Sequence, residues 1–248
     1  MISKAPRLPA RLWQCRARGA LLAMCLWLAG GVPAVAKTIT SARFTEPTTR
    51  YAHGVLGDNV EYGALELTVQ GGTLTIRLPS DRVFEDLAPR LADMDLDGKP
   101  EVIVVESHNR TGAQLAIYDS GGRKIAATPH IGTRFRWLAP IGAADLDSDG
   151  FVEIAYVDRP HLAKTLRIWR FKDGDLAEIA TLPGLTNHKI GDDFITGGIR
   201  DCGTGPEMIV VSADWQQIVS IRHEKGWGTR TLSPFSRKAM KQVLTCTH

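Results

Sequence analysis

Acidic residues are missing from the first 36 positions of this 248-residue chain, and cysteine is scarce throughout, with only Cys15, Cys25, Cys202 and Cys246. So few thiols exclude a disulfide-dense scaffold, and their spacing does not suit a zinc cluster. The longest apolar stretch, Gly19–Gly31, has 13 residues, short of the ~20 that a membrane-spanning helix needs. Outside the first 18 positions Lys and Arg form no block, which argues against nucleic acid as a partner. A Gly-x-Ser-x-Gly elbow, a phosphate-binding glycine loop and a His-Glu-x-x-His helix are also missing, and with them the enzyme classes that depend on those motifs.

What the start does contain is ordered. Lys4, Arg7, Arg11, Arg16 and Arg18 precede the apolar stretch, and Ala34-Val35-Ala36 follows it. A basic, then apolar, then small-residue segment is the pattern of a secretory signal peptide. Residues 1–36 are therefore expected to be a leader cut after Ala36, and residues 37–248 a single exported domain, periplasmic or secreted, with no membrane span. The leader holds five of the 30 Lys and Arg and none of the 27 Asp and Glu, so residues 37–248 carry 25 basic against 27 acidic side chains, a net charge of −2 in place of +3. Cys202 and Cys246 are then the only cysteines left, in a compartment where disulfides persist. A bridge between them is the expectation, and two free thiols are the rival.

The rest of the chain reads as short strands. Leu65–Val69 and Thr73–Leu78 flank a Gln70-Gly71-Gly72 turn. Glu101–Val105, Gln114–Tyr118 and Lys124–Thr128 are β-rich, as are Val152–Val157, Thr165–Phe171 and Leu176–Leu182, then Met208–Ser212, Gln217–Arg222 and Thr229–Leu232. Short strands at regular spacing with polar turns indicate an all-β protein. Residues 84–92 read as one or two helical turns, and 243–247 as a short β-like end.

The chain repeats itself. Leu87-Ala88-Pro89 leads into Asp93-Met94-Asp95-Leu96-Asp97-Gly98, and Leu138-Ala139-Pro140 into Asp145-Leu146-Asp147-Ser148-Asp149-Gly150, 52 residues later. A weaker third copy has Asp201 and Glu207, and a fourth near Tyr51 has Asp58 and Glu61. A period near 50 residues with about four short strands has the size of a propeller blade. The expected architecture is a β-propeller of about four short blades, or five shorter ones, with calcium loops between strands.

In the first loop Asp93, Asp95 and Asp97 alternate, so their side chains converge when the chain curls. Gly98 permits the turn, the Lys99 carbonyl supplies an oxygen, and Glu101 closes the ring. Asp145, Asp147, Asp149, the Phe151 carbonyl and Glu153 repeat the set. Hard oxygen ligands on a flexible loop suit Ca²⁺, and two ions per chain are expected. The loops are not EF-hands, because Val104 and Tyr156 stand where a bidentate glutamate would close that motif.

On the segments Ala92–Val104 and Ala144–Ala155 the chain resembles the FG-GAP/VCBS repeat proteins, relatives of the integrin α-subunit propeller. The likeness is strong over residues 84–170 and degenerate over most of 51–232. It implies a propeller with calcium in its inter-strand loops and a role in binding or adhesion, toward a protein or glycan that the residues do not identify.

An enzyme is the alternative. His53 and His188 each stand a few residues before a Gly-Asp, and His53, Asp58, His188, Asp192 and Asp193 would serve a propeller-fold hydrolase or lyase if they met at a central mouth. No nucleophile accompanies them, and stabilisation of loop junctions by the two histidines is the favoured reading. Trp137, Trp169, Trp215 and Trp227 recur about once per repeat and read as packing residues rather than as a sugar platform. The sequence favours an exported calcium-binding scaffold or binding module.

Overall fold

Runs of β-branched and aromatic residues between Gly, Asn and Asp turns favour strands. The computed structural model, which describes residues 37–247, is all-β apart from one short helix. β1 (Ile39–Thr48), β2 (Glu61–Val69) and β3 (Gly72–Arg77) pair antiparallel as a first group. β4 (Arg82–Phe84) leads to a four-stranded meander of β5 (Arg90–Ala92), β6 (Glu101–His108), β7 (Gly112–Tyr118) and β8 (Lys124–Ala127). By pairing with both β2 and β6, β4 joins the two groups into one curled eight-stranded sheet. A third group follows with β9 (Leu138–Ala144), β10 (Val152–Asp158), β11 (Thr165–Lys172) and β12 (Asp175–Pro183). After the short β13 (Leu185–Thr186) comes a fourth: β14 (Gly198–Asp201), β15 (Pro206–Ser212), β16 (Gln217–His223) and β17 (Trp227–Pro234). The helix α1 (Arg237–Leu244) is last.

The groups stack face to face, as the alternation of side chains on their middle strands shows. On β6, Val102 and Val104 point toward the first group while Ile103 and Val105 meet the third. On β10, Ile154 and Tyr156 face the second group and Ala155 and Val157 the fourth. On β15, Met208 and Val210 face the third group and Ile209 and Val211 face Met240 and Val243 of α1. Strands buried on both faces lose the polar–apolar alternation of a half-exposed strand and read as continuous apolar runs. Each fully buried Val, Leu or Ile contributes about 1.5–3 kcal/mol, so these central strands anchor the loops between them. Among the described residues no strand pairing joins the fourth group to the first. Instead their flanking loops meet, where the Gly191 N–H donates to the Val55 carbonyl at 3.1 Å.

The structure corrects two expectations. Residues 84–92 hold the end of β4 and all of β5 with bends between them, and no helical turn; pairing with β6 overrides any local helical preference. The supposed β-like end begins inside α1, because Val243 and Leu244 close that helix. Ser236 caps it by accepting from the Ala239 N–H at 3.0 Å, a device worth about 1 kcal/mol. The buried Arg200 guanidinium donates to the Val243 carbonyl at 2.5 Å, at the other end of the helix. Beyond it Cys246 is bridged to Cys202, their Cα atoms 5.7 Å apart. The expected leader lies outside the described residues.

Candidate metal centre

The first acidic loop joins β5 to β6 and the second joins β9 to β10, the same position in successive groups. Their backbones match. Leu96 and Ser148 have φ of 60° and 62°, and Gly98 and Gly150 have φ of 86° and 87°. These left-handed positions bend the chain into a tight curl, which the aspartates hold in place. Asp93 accepts from the Asp97 N–H at 3.0 Å and the Gly98 N–H at 2.8 Å. Asp145 accepts from Asp149 and Gly150, both at 3.1 Å. The Lys99 N–H bonds Asp97 at 2.8 Å and the Phe151 N–H bonds Asp149 at 3.1 Å, so the two residues expected to offer carbonyl ligands occupy equivalent places. The closing glutamates are also alike: Glu101 accepts from the Met94 N–H and Glu153 from the Leu146 N–H, each at 2.9 Å.

Asp93, Asp95 and Glu101 bring one carboxylate oxygen each to within 4.8 Å of one another, and so do Asp145, Asp147 and Glu153. Three converging hard oxygens could hold a metal ion. Of the expected set, Asp97 and Asp149 stand outside these trios. Asp97 pairs with the Lys99 ammonium at 3.0 Å, and Asp149 with Arg170 at 2.8 Å. Burial raises the pKa of Glu101, with Asp95, Asp97 and Asp93 adding to the effect, although the Met94 N–H opposes it. Burial also raises that of Glu153, against the opposing hydrogen bonds from Arg170 and Leu146.

The second trio has an occupant nearby. Arg170 on β11 faces Glu153 across the strand pair. Its Nε donates to Glu153 Oε1 at 2.8 Å, and its Nη2 donates to Asp147 Oδ2. Asp147 Oδ1 is buried without a hydrogen-bond partner. Sequence reading missed Arg170 because it lies outside the motif, and only strand register brings it to the loop.

The degenerate loops take other forms. In the third, Asp201 accepts from the Gly203 and Gly205 N–H groups at 2.8 and 3.1 Å, Glu207 pairs with Arg200 at 2.8 Å, and Cys202 carries the bridge. In the first group Asp58 accepts from the Val60 N–H at 2.8 Å. Glu61 is buried there; desolvation, with Glu85, Asp58 and Asp86 adding, pushes its pKa up to about 9.

The expected histidine cluster is only partly assembled. His53 Nδ1 lies 2.5 Å from Glu85 Oε1, and Ser107 donates to the other Glu85 oxygen. Burial is the largest influence on Glu85, whose pKa is raised. His188 bonds the Asp192 carbonyl at 2.9 Å and His161 at 3.0 Å. Desolvation lowers the pKa of His188 and takes that of His161 down to about 4. His53 and His161 line a cavity of about 30 Å³ with Phe135, Arg136, Trp137 and Arg159. That is the space of about one water. Asp192 enters through its backbone alone, and Asp193 is exposed with no role in these bonds. Glu85 and His161, which complete this cluster, carried no motif; the only trace was the adjacent Glu85-Asp86 pair following the apolar Val83-Phe84. Trp137 and Trp169 are buried in the interface of the second and third groups; Trp215 packs against Phe235, and Trp227 against the core between the third and fourth groups.

Residues 93–156 match the family model described as FG-GAP-like repeat. The match opens on the first aspartate of the first loop and ends on β10, so it takes in both acidic loops and the strands between them. No curated protein and no solved structure matches the chain. The class so defined is an all-β chain containing an FG-GAP-type repeat, as the resemblance implied. Among the described residues no helix is long and apolar enough to cross a membrane.

Proposed function

We propose that this chain is an exported β-propeller-type binding module, its strand groups acting as short blades and Ca²⁺ steadying the loop Asp93–Glu101. The observation that carries this reading is the FG-GAP-like repeat over residues 93–156, whose first loop converges three carboxylates. Such repeats suggest binding rather than chemistry, and the partner would be a protein or glycan met outside the cytoplasm. Calcium is the ion of choice because the donors are carboxylates on a turn that can adjust its radius. Asp93, Asp95 and Glu101 would hold it, and its charge would offset their mutual repulsion. The Cys202–Cys246 bridge is compatible with export, and the leader pattern of residues 1–36 supports it.

The hydrolase or lyase reading has one specific observation behind it, the carboxylate–imidazole pair of Glu85 and His53 beside a cavity. The cavity is too small for a substrate, which keeps this reading second. Two measurements test the binding-module proposal. Intact mass of the exported protein should begin at Lys37, and a product retaining Trp13 and Trp27 would end the leader assignment. Melting in Ca²⁺ against chelator should show a higher midpoint with Ca²⁺; equal midpoints at saturating Ca²⁺ would remove the structural role of the ion.

A further inference from the structure

The two acidic loops share one backbone and differ in what stands opposite the closing glutamate. Glu153 pairs with Arg170 on the neighbouring strand. In the second group Val102 pairs with Tyr118, so the position matching Arg170 is held by Asp119, a charge of the opposite sign. Asp119 is occupied by its own turn, accepting from the Gly121 and Arg123 N–H groups at 2.9 Å each. Among the described residues no donor meets Asp95 Oδ2 or Glu101 Oε1, the oxygens that the first loop leaves open. Their counterparts in the second loop, Asp147 Oδ2 and Glu153 Oε1, are both taken by Arg170. Arg170 Nη1 lies 2.8 Å from Asp149 Oδ2 as well. The third loop follows the second: Glu207 Oε1 accepts from Arg200 at 2.9 Å, and Ser220 donates to its other oxygen.

We propose that Arg170 is the resident cation of the second loop, so that the chain takes one divalent ion, at Asp93–Glu101, and not two. This rests on reading the first loop as a calcium site. A guanidinium presents its N–H donors in a rigid plane, and here three of them meet three different carboxylates. It is tethered to the chain, so it reaches the cluster without the entropy loss that a free ion suffers on binding. An ion entering the second loop would have to displace the two hydrogen bonds and the ion pair with Asp149, and sit against a fixed positive charge. The loop has not lost its ligands: Asp145, Asp147 and Glu153 still converge, and Asp147 Oδ1 remains buried and unpartnered. What excludes the ion is the arginine, which the substitution Arg170→Gln removes while retaining a side chain of polar character.

Calorimetric titration of the full chain with CaCl₂ tests the assignment. The parent should bind one ion, Asp95→Asn none, and Asp147→Asn one, while Arg170→Gln should bind two. A parent that binds two ions would overturn the proposal, as would loss of its single ion in Asp147→Asn or an Arg170→Gln protein that gains no ion over the parent. A parent that binds none while Arg170→Gln binds one would end the calcium reading of the first loop and leave the role of Arg170 standing. If Arg170→Gln does not fold, Asp147→Asn still decides between the two loops.

Discussion

The loops Asp93–Glu101 and Asp145–Glu153 have the same acidic pattern and the same left-handed turns at Leu96/Ser148 and Gly98/Gly150. Their surroundings are not the same. The first lies beside Asp119 and pairs one of its aspartates with Lys99, while the second is laced by Arg170. The motif sets how the backbone curls, and the neighbouring strand decides which cation meets the carboxylates. A third loop, with Cys202 and Glu207, is closed by a bridge and by Arg200. The three loops thus have different partners, Lys99 in the first, Arg170 in the second, and Arg200 with the bridge in the third, and substitutions at each would break or sharpen the comparison.

The largest effect belongs to the covalent solution. The Cys202–Cys246 bridge spans a sequence separation of 44, and in the loop-entropy account such a crosslink stabilises by roughly 4 kcal/mol. It also holds the end of α1, whose Met240 and Val243 cover the outer face of the fourth group. Replacing both cysteines by serine should lower the denaturation midpoint by a corresponding amount, measured in urea. A double variant as stable as the parent would show that packing of α1 alone closes the stack.

Next comes the guanidinium. Arg170 is about three-quarters buried against Glu153, which is wholly so. Removing one partner of a buried pair leaves the other uncompensated, at a cost of about 3 kcal/mol or somewhat more. Arg170→Ala should therefore be destabilised by about that much in chelator and recover much of the loss in Ca²⁺. Destabilisation that Ca²⁺ leaves untouched would mean that the arginine acts through packing alone. The ion proposed for the first loop ranks just below. A ligand bound only to the folded state adds ~2.7 kcal/mol at one hundred times its dissociation constant, so Asp95→Asn should forfeit that increment in Ca²⁺ and match the parent in chelator. A Ca²⁺ response that survives in Asp95→Asn would relocate the ion.

Much of this was visible in the sequence, and the gaps have physical causes. The strands from Leu65 to Leu232 were legible because continuous apolar runs such as Val102–Val105 and Met208–Val211 admit little else between polar turns. The acidic loops were legible because alternation, a glycine and a closing glutamate are all local. The bridge was legible by elimination, since only two cysteines remain after residue 36. Residues 84–92 were misread because β4 and β5 are short strands set by pairing, β4 with β2 and β6 and β5 with β6. The helix Arg237–Leu244 was missed because it is short and buries only Met240 and Val243 fully, although Ser236 offered a cap signal. Arg170 and Glu85 escaped for the same reason: each acquires its partner through register or packing, at a separation that no motif records.

The last effect, confined to a window of pH, concerns a buried carboxylate cluster with no bridge beside it. Near β2 and β4, Glu61 is buried close to Glu85, Asp86 and Asp58, and its pKa is pushed up to about 9. Arg90 takes Asp86 and His53 takes Glu85, which leaves Glu61 to be neutralised by a proton. Desolvation and the repulsion of neighbouring carboxylates act in the same direction on Glu61, and a proton serves as its counter-ion. The sign follows from linkage. Between its ordinary value of 4.5 and about 9, Glu61 holds a proton in the folded chain that it has released in the unfolded one. The folded state binds more protons in that window, so the contribution of this group is full below pH 4.5 and is lost as the pH rises toward 9. Glu61→Gln, which keeps the shape and removes the titration, should flatten the decline in stability between those limits. The readout is urea midpoints at a series of pH values in chelator, so that no divalent ion contributes. A variant whose midpoints fall with pH as steeply as those of the parent would place the buried proton elsewhere, with Glu85 the next group to substitute.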